Sequence, residues 1–249
     1  MVALTPEQIC LYRLQGYIIL RANVHDLVKE SELKIWTDEV ANWPHYHAQI
    51  AKLLYGQELA NILQLLSGRE MQLFKAKINY KLPKGNGFHA HLDGPAYDHI
   101  CKTEHVTANF AVDPADLENG CLEVVPGSHK MMVELADGGP ISDDWIAKHD
   151  WVPVPLNPGD ILFFGSHLAH KSGPDRTKNR RASLYATFSG KADGENLREK
   201  YYIHRRMVFQ PDHEREEGKG YDDGWKTYGF AAPFSKPKVD EPANAIVTH

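Results

Sequence analysis

The sequence predicts a mainly β protein with flanking α-helices, its core an antiparallel sandwich or barrel. Three observations point there. From Met71 onward, short β-rich runs alternate with Gly, Pro, Asn and Asp. No helical apolar period separates those runs, so the pattern is not that of strand–helix–strand units. Clear helical periodicity is confined to the chain before residue 68. At 249 residues the chain is read as a single domain. It divides into a helical N-terminal part (about 5–68), a β core (about 70–190) and a C-terminal arm (191–249).

Taken in order, Thr5-Pro6-Glu7-Gln8 is a helix start, with Thr5 as N-cap, Pro6 in the first turn and Gln8 closing a capping box. That helix ends near Gly16, and Tyr17-Ile18-Ile19-Leu20 follows as a short strand. Leu33, Trp36, Val40 and Trp43 form an apolar stripe over 25–43, stopped by Pro44. Leu59, Ile62, Leu63 and Leu66 mark another helix closed by Ser67-Gly68. Both stripes are expected to pack against a sheet. The expected strands are 71–82, 106–112, 121–125, 151–155, 161–165 and 182–189. Residues 197–209 form either a helix or an ordered arm, and the Pro- and charge-rich stretch from Pro233 is expected to be loose.

Bulk properties narrow the function classes. A composition of 42% hydrophobic and 24% charged residues is ordinary for a soluble globular protein. The net charge is -5, without a long basic block, which argues against nucleic acid and anionic membrane as partners. The apolar runs fall far short of the ~20 residues of a membrane helix. Met1-Val2-Ala3-Leu4-Thr5-Pro6-Glu7 lacks the basic and apolar regions of a signal peptide. Cys10, Cys101 and Cys121 are too scattered for a disulfide framework or a zinc knuckle. A cytoplasmic monomer or homodimer with a small-molecule substrate is expected.

The chemistry gathers at Gly87-Phe88-His89-Ala90-His91-Leu92-Asp93-Gly94-Pro95. On an extended strand, His91 and Asp93 point to the same face and offer an imidazole and a carboxylate to one metal ion. With 14 histidines in the chain, that triplet alone is a chance match and needs a third ligand. Gly159-Asp160 is a turn feeding the apolar strand Ile161-Leu162-Phe163-Phe164-Gly165, which leads to His167 and His170. Arg181 follows eleven residues after His170. Two His and one carboxylate leave open positions on an octahedral Fe(II), where a chelating co-substrate and O2 both bind. Arg181 can pair bidentately with a carboxylate at the co-substrate's far end. Ser183, two residues on, faces the same way.

Asn119-Gly120-Cys121-Leu122-Glu123-Val124-Val125-Pro126-Gly127-Ser128-His129-Lys130 resembles the signature of the phytanoyl-CoA dioxygenase family. His91-x-Asp93 lies upstream of it, and Gly159-Asp160, His170 and Arg181 lie downstream in the family's order. The resemblance spans roughly residues 5 to 190. It implies a double-stranded β-helix (jelly-roll, cupin-like) core with the N-terminal helices outside one sheet, so that residues 1–249 form one oxygenase domain. It also implies an Fe(II)- and 2-oxoglutarate-dependent dioxygenase that uses O2 and yields succinate and CO2. His91, Asp93 and His170 would hold iron, and Arg181 with Ser183 the 2-oxoglutarate tail. The Arg181 spacing favours His170 over His167. His89 is read as a rim residue, His129 as structural, and Arg180 as facing away. Asn109, on a core strand, either touches 2-oxoglutarate or satisfies neighbouring backbone. Family relatives that halogenate replace the carboxylate at Asp93 with a small residue, so halogenation is disfavoured.

On the substrate side, alternation in Phe74-Lys75-Ala76-Lys77-Ile78-Asn79-Tyr80-Lys81 puts Lys75, Lys77 and Asn79 on one face. It puts Phe74, Ala76, Ile78 and Tyr80 on the other. Simple amphipathicity would turn the lysines to solvent. The similarity of this run to aminoethylphosphonate hydroxylases turns them inward, where a buried Lys needs an anionic partner. Lys77, Asn79 and Lys75 are therefore the candidate contacts to a small, polar, anionic or zwitterionic substrate. No long apolar lid is visible between Asp93 and Asn119, which disfavours acyl-CoA. The alternatives are a metal-dependent isomerase or hydrolase and a ligand-binding barrel without turnover. Arg181 argues against both.

Overall fold

The structure, a computed structural model, describes residues 4–24, 27–29, 32, 48–210 and 214–231. Helix α1 (Pro6–Gln15) begins with the expected box: Thr5 Oγ1 accepts from the Gln8 amide at 3.3 Å, and Gln8 Oε1 accepts from the Thr5 amide at 2.8 Å. It stops at Gly16, whose φ of 85° lies in the left-handed region. The stripe Leu33, Trp36, Val40 and Trp43 and the stretch from Pro233 lie outside the described residues. Helices α2 (Ala48–Leu54), which has no counterpart in the sequence reading, and α3 (Gln57–Ser67) precede the strands from Met71 onward.

Among the described residues, nine strands form two antiparallel sheets. The first runs β1 (Tyr17–Leu20), β7 (Ile161–Gly165), β4 (Val106–Ala111), β9 (Arg181–Gly190), β2 (Met71–Lys81). The second runs β3 (Phe88–His91), β8 (His170–Ser172), β5 (Leu122–Val124), β6 (Val152–Val154). This is the double-stranded β-helix. The six expected strands are all present within a residue or two at each end. β3 and β8, of four and three residues, were not delimited, since their sequences are read for ligands and carry no apolar run.

The two faces of the first sheet have different roles. Ala76, Ala108, Phe110, Ile161, Phe163, Leu184, Ala186 and Phe188 point outward and are covered by Ile50, Leu53 and Leu54 of α2 and Leu59, Ile62, Leu63 and Leu66 of α3. The α3 stripe thus packs on a sheet as expected. Facing the second sheet, Leu162 and Phe164 meet Val124 and Val154 in a separate apolar cluster. The rest of that inner face is polar: Lys75, Lys77, Asn79 and Lys81 on β2, Arg181, Ser183, Tyr185 and Thr187 on β9, and Thr107 and Asn109 on β4. Register confirms the rows: Lys77 pairs with Tyr185, Asn79 with Ser183, Lys81 with Arg181, and Tyr185 with Asn109.

One expectation on β2 is overturned. Phe74 does not share a face with Ala76. The register shifts between Leu73 and Lys75, a β-bulge that turns two consecutive side chains the same way. Phe74 packs with Tyr97 and Tyr201, the same two rings that Lys75 approaches.

Asp160 ties the N-terminal part to the barrel. Its carboxylate accepts from Arg21 Nη1 at 2.7 Å, the Ala22 amide at 2.8 Å and the Asn157 amide at 2.9 Å. Beyond the sheets, α4 (Asp143–Ala147) is capped by Ser142. The arm residues 197–209 resolve into a helix, α5 (Leu197–Val208), followed by helical turns at Asp222–Gly224 and Trp225–Gly229. The arm returns to the metal motif, where the His89 amide donates to the Ala231 carbonyl at 3.1 Å.

Candidate active site

β3 and β8 are paired so that His91 lies directly opposite His170. Their rings are 4.1 Å apart, and Asp93 follows just past the end of β3. Ligand atoms of His91, Asp93 and His170 all fall within 4.8 Å of one another. Each imidazole is oriented by a backbone carbonyl two residues upstream. His91 Nδ1 lies 2.7 Å from the His89 carbonyl, and His170 Nδ1 lies 2.9 Å from the Leu168 carbonyl. Nδ1–H therefore donates in both, leaving both Nε2 lone pairs for a metal. Burial, then the neighbouring His170, pushes the His91 pKa down to about 3, so its ring is neutral. Burial alone would raise Asp93, but Lys75, the two imidazoles and Lys77 hold it well below the usual carboxylate range. Neutral imidazole and ionised carboxylate are the states a divalent metal requires, so the donor set fits iron(II).

The rival histidines are elsewhere. His167 Nδ1 faces Glu104 Oε1 at 3.2 Å. His129 reaches the Arg13 carbonyl at 3.3 Å and packs over Gly16 at the end of α1. His89 is exposed. Arg180 is exposed and its guanidinium carbon lies 5.3 Å from the Tyr80 ring centroid.

Arg181 is 9% exposed. It donates through Nε to the Asn119 carbonyl (3.4 Å), through Nη2 to the Gly120 carbonyl (2.8 Å) and through Nη1 to Ser183 Oγ (3.1 Å). The Asn119-Gly120 pair is thus a backbone seat for the guanidinium. Gly120 has φ 71°, and a Cβ there would run into the Gly173 carbonyl and the Lys81 ammonium. Lys81 donates to the Gly120 and Gly173 carbonyls and to Ser172 Oγ. Burial, then Arg181, lowers its pKa to about 8. The sequence reading passed over Lys81, although the alternation that selected Lys75, Lys77 and Asn79 includes it. Tyr185 was missed in the same way, two residues beyond Ser183. Asn109 is 2% exposed, and its Oδ1 is buried without a hydrogen-bond partner among the described residues.

Lys75 and Lys77 do face the barrel interior. The Lys75 ammonium sits 4.3 Å from the Tyr97 ring centroid. Lys77 lies between Phe88 (5.8 Å) and Tyr185 (5.6 Å). Neither has a hydrogen bond or ion pair to a described residue. Burial lowers Lys75 to about 8 and Lys77 to about 7, with Asp93 opposing in both. The wall on this side comes from the arm, through Tyr201, Tyr228 and Phe230. Phe230 stands 6.2 Å from His91, ring to ring.

An antiparallel barrel that gathers two imidazoles and one carboxylate on one sheet and a buried guanidinium on the other defines a non-haem iron oxygenase. The family model for phytanoyl-CoA dioxygenase matches residues 19–183, and the chain belongs to that family. It is 35% identical to a methylphosphonate hydroxylase of Gimesia maris over 83% of this chain and 88% of the relative. It is 32% identical to the dioxygenase lolE1 of Epichloe uncinata over 84% and 91%, and 29% identical to a 2-aminoethylphosphonate dioxygenase from an uncultured bacterium over 92% and 98%. Among solved structures, EctD of S. alaskensis with 2-oxoglutarate and 5-hydroxyectoine superposes with a TM-score of 0.65 at 20% identity, covering 76% of this chain and 77% of that one. The protein is an Fe(II)- and 2-oxoglutarate-dependent dioxygenase. When bound, the iron couples O2 and conversion of 2-oxoglutarate to succinate and CO2 to oxidation of a substrate.

Proposed function

We propose that this dioxygenase hydroxylates, or otherwise oxidises, a small anionic or zwitterionic metabolite. One observation carries the reading. Two amine groups, Lys75 and Lys77, stand inside the barrel beside Asp93, and neither has an ion pair among the described residues. Burying such charges is costly unless a ligand supplies the partner. Asp93 is committed to the metal, so the counter-charge comes with the substrate. The names of the relatives support this: methylphosphonate, 2-aminoethylphosphonate and, over about half of this chain, hypophosphite.

In this reading His91, Asp93 and His170 hold iron. Arg181 receives the far carboxylate of 2-oxoglutarate, Ser183 donates a further hydrogen bond, and Asn109 lies on the same inner face. Lys77, Asn79 and Lys75 meet the substrate. The test has two stages. Anaerobic Fe(II) and 2-oxoglutarate give a weak visible charge-transfer band, weakened in Arg181→Ala, and air then releases succinate. A missing band, or a band indifferent to Arg181→Ala, overturns the site assignment. In the second stage methylphosphonate and 2-aminoethylphosphonate stimulate succinate release, and a neutral alcohol of equal size does not. Lys77→Ala raises the KM for the stimulating phosphonate while uncoupled decarboxylation survives. Loss of decarboxylation instead would move Lys77 to the co-substrate.

A further inference from the structure

Helix α5 lies outside both sheets, and one of its cations, the half-buried Arg205, is held among the aromatic rings that line the Lys75 side of the barrel. Tyr201 and Arg205 are four residues apart and share a helix face. Arg205 Nη1 donates to the Tyr201 hydroxyl at 3.2 Å. The guanidinium carbon sits 5.1 Å from the Tyr228 ring centroid and 5.4 Å from that of Phe209. Tyr201 in turn packs against Phe74 at 4.9 Å, and its ring centroid is 5.9 Å from the Lys75 ammonium. Arg205 is therefore one aromatic ring away from Lys75, and its charge is felt by both lysines.

The next residue shows the contrast. Arg206 points outward to Glu214 at 2.6 Å, an ordinary surface pair. Arg205 has no carboxylate partner among the described residues. Aromatic faces hold a guanidinium in place without neutralising it, and among the described residues one of its five N–H groups has an acceptor. Lys75 and Lys77 inside the barrel, with the half-buried Arg205 one ring behind them, thus stand against Asp93, whose charge goes to the metal.

We infer that Arg205 is a specificity-determining residue of this oxygenase, the third cation of its substrate site, delivered by the C-terminal arm and selecting a doubly ionised tetrahedral oxyanion over a singly charged one. The inference rests on the anionic-substrate reading above. A planar fork of N–H donors suits two oxygens of such a group, and two lysines answer the remaining charge.

The test compares methylphosphonate with methanesulfonate, its singly charged analogue, titrated calorimetrically into anaerobic enzyme loaded with Fe(II) and 2-oxoglutarate. Wild type binds methylphosphonate tighter. Arg205→Met weakens methylphosphonate by about 10- to 100-fold and abolishes the preference, while the charge-transfer band and the melting temperature stay in place. Arg205→Lys recovers part of the affinity, and Arg206→Met changes neither ligand. If wild type binds neither anion, the anionic-substrate reading falls and this inference with it. If wild type binds methylphosphonate and Arg205→Met binds it equally well, the substrate reading stands and the role of Arg205 is overturned. A preference that persists in a weakened Arg205→Met overturns the selection of the dianion.

Discussion

Arg181 carries five N–H groups, and three of them are committed to Asn119, Gly120 and Ser183. One hydrogen remains on each terminal nitrogen, the pair a carboxylate can accept side by side. Lys81 next to it differs, because all three of its ammonium hydrogens have acceptors in the protein. The two neighbouring cations should therefore fail differently. Arg181→Lys replaces a fork by a point charge and should raise the KM for 2-oxoglutarate by about 10- to 100-fold, with the melting temperature nearly unchanged. Lys81→Met takes the donor from the Gly173 carbonyl, while Ser172 Oγ keeps the Phe88 amide and the Gly120 carbonyl keeps Arg181; it should cost about 1–2 kcal/mol of stability, seen in urea unfolding, with a smaller effect on that KM. Ser183 accepts from Arg181, so its own hydroxyl hydrogen is free to donate, as the sequence reading required.

At the level of elements, the arm is fastened by a three-part clasp. The Tyr228 hydroxyl lies 2.7 Å from His99 Nε2 and 2.8 Å from His204 Nδ1. It joins the turn after the metal motif to α5 and to the final helical turn. The hydroxyl can donate to one imidazole and accept from the other, and the ring that receives its hydrogen must be neutral at that nitrogen. Burial, then His204, lowers the His99 pKa. Between that lowered value and the ordinary 6.5, the released ring binds more protons than the clasped one, so the clasp weakens as pH falls through this range. Tyr228→Phe removes both bonds at any pH. Amide exchange across 197–231 should then quicken by about 10-fold at neutral pH, which ~1.4 kcal/mol of hydrogen bonding represents, with the iron–2-oxoglutarate band retained. An exchange rate equal to wild type would show that packing of Tyr201 and Phe209 holds the arm without the clasp.

For the whole molecule, three buried lysines set the response to alkali. Lys77 is lowered to about 7, and Lys75 and Lys81 to about 8, all from 10.5. Over that interval the unfolded chain binds more protons than the folded one, so the ligand-free protein should gain stability as pH rises from about 7. Near 10 the buried tyrosines Tyr185 and Tyr201, whose pKa values are raised by burial, reverse the sign. An anion beside the lysines restores their protons. Urea midpoints followed from pH 7 to about 9.5 should therefore climb without ligand and flatten in saturating methylphosphonate, and binding in the upper part of that range should take up protons. A slope unchanged by the phosphonate would place the anion elsewhere.

How much of this was legible in the sequence depends on how each feature is encoded. That His91, Asp93 and His170 gather, and that Arg181 is buried on the inner face, could be read because strand alternation and spacing leave marks in the sequence. The α1 cap and the α3 stripe were equally plain, since local hydrogen bonding and a single buried face leave direct marks. Arg205, Tyr201 and Tyr97 were not readable. They reach the pocket from outside the sheets, and only tertiary packing tells Arg205 from the surface-paired Arg206. The aromatic wall that the arm supplies through Tyr201, Tyr228 and Phe230 left no such mark either.

The bulge at Phe74 also bears on how this strand can vary in length. With Leu73 and Ala76 outward and both Phe74 and Lys75 inward, residue 74 is a supernumerary position. Deleting it would empty a ring-sized space yet leave Lys75, Lys77, Asn79 and Lys81 on their present side. A single-residue deletion further along β2 would put part of that row out of step with β9, sending some of its amines to the helical layer. Over Leu73–Lys81, position 74 is therefore the site where relatives can gain or lose a residue and keep the charge of the cavity.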